Sequence, residues 1–250
     1  MPLGIAKRAK GTDVRAGFHR RGGWWSRHAR LRAGTASCLL SILLFVALGD
    51  VVVEDGRDGL DQSLSGTIST SASPALTRVM QLVTHLGSTH ATAALCLVAA
   101  AWLFAQRRRA AAVLVPAAWA GGQLLGALLK ISFQRDRPVI LAPWDRPEGY
   151  SFPSAHTFTA VITYGLVAAL LVECLRGRGR LLPPVIAGTI VVAVGFSRIV
   201  LGAHFPADVL GGLLAGGAWL SAALVVLYLA ERRPALRRRL SARQRLTASQ

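Results

Sequence analysis

The chain has 250 residues, 52% of them hydrophobic and only 16% charged, and its 29 Lys and Arg outnumber its 12 Asp and Glu. A water-soluble protein of this size carries more charge, so the composition points to an integral membrane protein. The positive excess does not make a nucleic-acid binder, because the basic residues stand between apolar blocks. A soluble bundle of buried helices would need polar helix faces, and the periodicity shows almost none.

In chain order, residues 1–32 form a basic segment too charged and Gly-rich to be a signal peptide. Trp24 and Trp25 in it resemble interfacial anchors. Apolar runs follow at 33–53, 88–105, 110–129, 154–175, 181–200 and 208–230, each near the ~20 residues that cross a hydrocarbon core. Gly121, Gly122, Pro183 and Pro184 inside them are tolerated in membrane helices, and the small residues of GGLLAGGAW suit close helix packing. Residues 75–87 read as a short amphipathic interfacial helix leading into the second run. The three cysteines, Cys38, Cys96 and Cys174, show no disulfide or metal spacing and read as small core residues. The predicted fold is all-α: a polytopic six-transmembrane-helix bundle over 33–230, between a basic N-terminal segment, 1–32, and a basic tail, 231–250.

Charge sets the orientation. Nine basic residues run from Lys7 to Arg32 against one acid, Asp13. Arg107–Arg108–Arg109, then Arg176, Arg178 and Arg180, then seven arginines from Arg232 to Arg245 fall on alternate loops. Together these are 22 of the 29 basic residues on one face, which the positive-inside rule makes cytoplasmic. Glu54, Asp55, Asp58 and Asp61 make the opposite first loop acidic. Both termini are then cytoplasmic. The arginines of the tail fit anionic lipid headgroups as well as a solvated, topology-setting tail.

Three chemically loaded segments fall on the non-cytoplasmic side: KISFQRDRP from Lys130, PSAH ending at His156, and SRIVLGAHFPAD from Ser197 to Asp208. Lys130 and Arg137, seven apart, share a helix face if the helix continues, and two cations near headgroups invite an anion. Arg135 reads as a snorkelling side chain, and Pro138 as the helix stop. Ser154 stands where a helix opens with free N–H groups, so it serves as an N-cap, an anion contact or both. His156, one turn into an apolar run, is costly without a role. His204 and Asp208 are four apart, although Pro206 disturbs helical spacing. A carboxylate on one imidazole nitrogen leaves the other free to attack, and Asp208 also suits a helix start. Two histidines and an aspartate can ligate zinc, but the neighbouring cations repel a metal and attract phosphate, so no metal site is expected.

Taken together, the three segments resemble the signature motifs of the type 2 phosphatidic acid phosphatase superfamily. That pattern is Lys, six residues, Arg-Pro; then Pro-Ser-Gly-His; then Ser-Arg, five residues, His, three residues, Asp. Only Ala155 departs from it, where the family has Gly. Residues 61–87 also resemble the family's first outer loop and the stretch before the second span. The resemblance implies a phosphohistidine mechanism without a cofactor. His204 is the nucleophile, Asp208 orients it, and His156 protonates the leaving oxygen and then activates water. Lys130, Arg137, Ser154 and Arg198 hold the phosphoryl oxygens. Ala155 is expected to alter the local loop slightly and keep its N–H available, provided its φ is not positive.

The implied substrate is a membrane lipid phosphate or diphosphate. Polyprenyl diphosphate, such as undecaprenyl diphosphate, is the first expectation; phosphatidic acid, diacylglycerol pyrophosphate and phosphatidylglycerol phosphate are the alternatives. A phosphotransferase using the same residues stays open. A transporter fits poorly, since its charges belong near the midplane of repeated helices. The composition and charge layout fit a bacterial inner membrane.

Overall fold

The computed structural model describes residues 27–54, 58–138 and 149–247, with side chains described as far as residue 231. The expected anchors Trp24 and Trp25, the loop residue Asp55 and most of the basic N-terminal segment lie outside the described residues, as do the side chains of the tail arginines. The described residues form eight α-helices: α1 (Arg27–Glu54), α2 (Asp58–Thr70), α3 (Pro74–Thr84), α4 (Thr89–Ala105), α5 (Arg109–Phe133), α6 (Ala155–Cys174), α7 (Leu182–Val200) and α8 (Pro206–Thr247). They contain no strand.

Among the described residues, five stretches are long and apolar enough to cross a membrane: Leu31–Val53, Arg109–Phe133, Ala155–Cys174, Gly177–Val200 and Pro206–Glu231. The number is six if α3 with its trailing turn and α4, which meet at a 46° bend, are counted as one broken span. The protein is therefore a multi-pass, all-helical membrane bundle, as its apolar runs predict. The helix expected at 75–87 is present as α3 plus the 3₁₀ turn His85–Gly87, but it is needed, together with α4, to make up the sixth candidate span. Ser73 caps it, its side chain accepting from the Leu76 N–H, with Pro74 in the first turn.

Helix α6 is the central element, contacting α4, α5, α7 and α8. Its apolar window is half buried, more than that of any other span among the described residues. Small residues on α8 allow this. A Cβ on Gly212 would come 2.8 Å from the Ser154 carbonyl oxygen, and one on Gly216 would come 2.9 Å from Val161 Cβ. The glycines let the two backbones approach where a larger residue would separate them. At the other end, Arg108 forks onto Glu231 at 2.6 and 2.7 Å and reaches Glu173 at 2.9 Å. One member of the Arg107–Arg109 triplet is thus a clamp joining α5, α6 and α8, besides carrying charge for that end of the bundle.

Candidate active site

The end of the bundle opposite Arg108 gathers the three segments. Helix α5 stops at Phe133, where Gln134 takes a left-handed conformation with φ of 48°. The helix therefore ends well before Pro138, and Arg137 lies on non-helical chain beyond it. The expected shared helix face is not what brings Lys130 and Arg137 together. Both side chains instead donate to one backbone carbonyl, that of Tyr150, Arg137 at 3.2 Å. Arg137 also donates from Nε to the Gly149 carbonyl at 2.8 Å and from Nη1 to the Ala203 carbonyl at 2.9 Å.

The third segment turns on Gly202. Its φ of 64° is the left-handed conformation that glycine adopts without a Cβ clash. Gly202 N–H donates to Ile199 at 2.9 Å and Ala203 N–H to Arg198 at 3.0 Å, closing α7 in a Schellman pattern. His204 N–H also reaches the Arg198 carbonyl at 3.2 Å, so the chain folds back and sets His204 over the helix end. Arg198 is buried, and its Nη1 donates to Thr84 Oγ1 at 2.8 Å.

His204 and Asp208 are both buried, with Nδ1 3.3 Å from Oδ2. They do not share a helix face: α8 begins at Pro206, after His204. Asp208 sits in the first turn, and its Oδ2 accepts the Phe205 N–H at 3.0 Å. This is one half of a capping box, with the carboxylate reaching back to the residue before the helix. Asp208 thus completes the helix start and orients the imidazole at once. On the other ring nitrogen, Nε2 lies 3.3 Å from Arg137 Nη1. Arginine has no acceptor, so Nε2 must accept, and the proton resides on Nδ1, facing Asp208. Burial pushes the His204 ring down to about 4; Asp208 opposes that, and Arg137 and Arg198 add to it.

Ser154 occupies the N-cap position of α6, but its side chain does not cap. Its Oγ accepts from Thr157 at 3.1 Å, and its N–H donates to the Asp208 carbonyl at 2.9 Å. Ala155 begins α6 without a positive φ, so glycine's conformational freedom is not required there. His156, half buried in the first turn of α6, lies within electrostatic reach of Arg198, His204, Lys130 and Arg137. Each of the seven residues expected from sequence is therefore at this one end of the bundle.

Arg135 corrects the sequence reading. It does not snorkel. It donates from Nη1 to Asp208 Oδ1 at 2.8 Å and from Nη2 to Asp61 Oδ2 at 2.9 Å, and its guanidinium lies 4.3 Å from the Phe205 ring centroid. A buried carboxylate offers it more than water at an interface. Asp61, read from sequence only as acidic loop charge, lies on α2 and also accepts the Ala207 N–H at 3.2 Å. Thr84, partner of Arg198, was likewise not singled out.

Three cations, a buried His–Asp pair and a second histidine thus meet at one end of a helical bundle, and relatives give the class. Residues 111–233 match the PAP2 superfamily. The chain is 32% identical over 176 residues to phosphatidylglycerophosphatase B of Bacillus subtilis, spanning 70% of this chain and 86% of the relative. The crystal structure of a transmembrane PAP2 type phosphatidylglycerolphosphate phosphatase from Bacillus subtilis superposes with a TM-score of 0.71 at 30% identity, covering 75% of this chain and 94% of that one. Decaprenylphosphoryl-5-phosphoribose phosphatase of Mycobacterium tuberculosis is 41% identical over 81 residues, covering 32% of this chain and 40% of the relative. The chain belongs to the PAP2 superfamily. It is a membrane lipid phosphatase, an enzyme of the phosphoric ester hydrolase class.

Proposed function

We propose that the protein hydrolyses a terminal phosphomonoester on a membrane lipid through a phosphohistidine at His204. The observation that carries this is the arrangement around one imidazole, with Asp208 on Nδ1 and the Arg137 guanidinium on Nε2. His204 Nε2 attacks phosphorus, forming a P–N bond as the bond to the leaving oxygen breaks. His156 gives its proton to that oxygen. His156 then takes a proton from water, whose oxygen attacks phosphorus and breaks the P–N bond, releasing inorganic phosphate. Lys130, Arg137, Arg198 and Ser154 hold the non-bridging oxygens as their charge redistributes.

The relatives support a choice of substrate class. Phosphatidylglycerolphosphate and decaprenylphosphoryl-5-phosphoribose, named for two of them, each end in a phosphomonoester beyond a phosphodiester. We therefore place phosphatidylglycerol phosphate first. Undecaprenyl diphosphate, the expectation from sequence, is supported only by the inferred side of the membrane, which does not distinguish it from the other lipids. The positive loops support an outward-facing site in a bacterial inner membrane with both termini cytoplasmic, and the boundaries 1–32, 33–230 and 231–250 follow from the same layout.

The test is a comparison of kcat/KM for phosphatidylglycerol phosphate, phosphatidic acid, diacylglycerol pyrophosphate and undecaprenyl diphosphate in vesicles, with phosphate release measured with and without acceptor alcohols. Preference for the first lipid supports the reading. Preference for undecaprenyl diphosphate replaces the substrate and keeps the chemistry. Turnover only with an acceptor, without phosphate release, replaces the hydrolase by a transferase.

A further inference from the structure

Asp208 has two carboxylate oxygens with different tasks. Oδ2 faces His204 Nδ1 at 3.3 Å and the Phe205 N–H at 3.0 Å. Oδ1 accepts from Arg135 at 2.8 Å, with Ser151 Oγ at 3.5 Å. A guanidinium on a buried carboxylate is a strong charge-assisted contact. Left alone, it would draw the negative charge of Asp208 toward itself and away from the imidazole. It is not left alone, since its other amino group is held by Asp61 at 2.9 Å. The order His204, Asp208, Arg135, Asp61 therefore alternates base, anion, cation, anion across three separate segments.

We propose that Asp61 is a positioning residue for the phosphatase reaction: by sharing Arg135, it leaves Asp208 free to support charge on the His204 ring as the P–N bond forms. Asp61 sits on α2, at the start of the chain's outer face, and is only slightly exposed, with 15% of its side-chain surface accessible. Its Oδ1 also accepts the Ala207 N–H, so one carboxylate both fixes the first turn of α8 and balances the cation on Asp208. Burial works against the charge of Arg135, but Asp208 and Asp61 outweigh it and hold its pKa above the ordinary value, as expected for a cation shared by two carboxylates. Placing Asp61 on the helix after the first span also gives that helix a reason to pack against the start of α8. The inference rests on His204 as nucleophile.

The experiment compares wild type, Asp61→Asn, Asp61→Glu, Arg135→Gln and the Asp61→Asn/Arg135→Gln double variant in vesicles with the lipid phosphate that wild type turns over best. Asparagine keeps an oxygen for the Ala207 N–H and removes only the negative charge that faces Arg135, so a purely structural role predicts little loss. The expected result is a fall in kcat of about tenfold in Asp61→Asn, a size typical of residues that support a reacting ligand from behind. KM stays unchanged, Asp61→Glu regains activity, and Asp61→Asn adds no loss once Arg135 is Gln. Wild-type kcat in Asp61→Asn, or the same fractional loss in both Arg135 backgrounds, overturns the proposal. Labelled phosphohistidine in wild type tests the underlying reading by itself. Its absence removes the nucleophile and this inference together, whereas its presence with an unaffected Asp61→Asn removes the inference alone.

Discussion

Arg137 Nη1 stands 3.3 Å from His204 Nε2, so a cation assigned to phosphate touches the nitrogen assigned to attack it. Arg137 is held at Nε and both amino groups by the Gly149, Tyr150 and Ala203 carbonyls. Its fork is thus fixed by backbone before any phosphate arrives, which lowers the reorganisation cost of stabilising the transition state. Replacing Lys130, Arg137 or Arg198 by Ala is expected to lower kcat/KM by roughly 10²–10³-fold, the usual effect of losing one donor to a developing oxyanion. Affinity for vanadate or phosphate should fall in parallel. Unchanged anion affinity in all three variants contradicts the clamp.

The His204 ring, pushed down to about 4 by burial first and by Arg137 and Arg198 besides, is neutral at physiological pH. Nucleophilic competence is then retained down to about pH 4, well below the ordinary histidine value near 6.5. An NMR titration of ring-labelled histidine, assigned with His204→Gln, should show that midpoint. Stability follows with a definite sign. Between about pH 4 and 6.5 the unfolded chain binds a proton at this site that the folded chain refuses, so stability rises with pH across the window. Acidification from pH 6.5 toward 4 removes it, at up to about 1.4 kcal/mol per pH unit for one proton.

Which residues gather at one end was legible in the sequence; how they come together was legible only in part. His204, Asp208, Lys130, Arg137, Arg198, Ser154 and His156 could be singled out because such residue types at the ends of apolar runs fit phosphate chemistry. Why they meet could not be read. Arg137 reaches the site because Gln134 ends α5 early and the chain leaves the helix, and periodicity says nothing about such a turn. His204 meets Asp208 through a capping arrangement around Pro206, where helical spacing gave the right pair for the wrong reason. The contact between Asp61 and Arg135 was missed because they are 74 residues apart, and a lone acid in an acidic stretch carries no sign of its partner. The Gly202 turn was within reach, since Gly after an apolar run is a helix-stop signal.

The glycine face of α8 yields a stability prediction. Gly212→Val brings carbon against the Ser154 carbonyl and Thr157 Cβ, which stand 2.8 and 3.0 Å from where a Cβ on residue 212 would lie. Backbone cannot yield as a flexible side chain does, so the bundle should lose about 1–3 kcal/mol. Thermal unfolding in detergent checks this. A melting temperature equal to that of wild type would mean α6 and α8 do not pack closely here.

Orientation is tested with single cysteines in a background where Cys38, Cys96 and Cys174 are Ser. Arg178→Cys lies at the arginine-rich end and Asp136→Cys at the site end, both exposed. A membrane-impermeant thiol reagent on intact cells should label position 136 and spare 178. The reverse pattern turns the site to the cytoplasm.

The central claim is the covalent step at His204. The most direct measurement is rapid acid-free quench of the enzyme with lipid labelled in its terminal phosphate, followed by mapping of the labelled peptide. The account predicts a base-stable, acid-labile phosphoryl group on His204, absent from His204→Ala and still formed, with a slower release of the lipid product, in His156→Ala. Label that persists in His204→Ala, or that maps to Ser154, would contradict it.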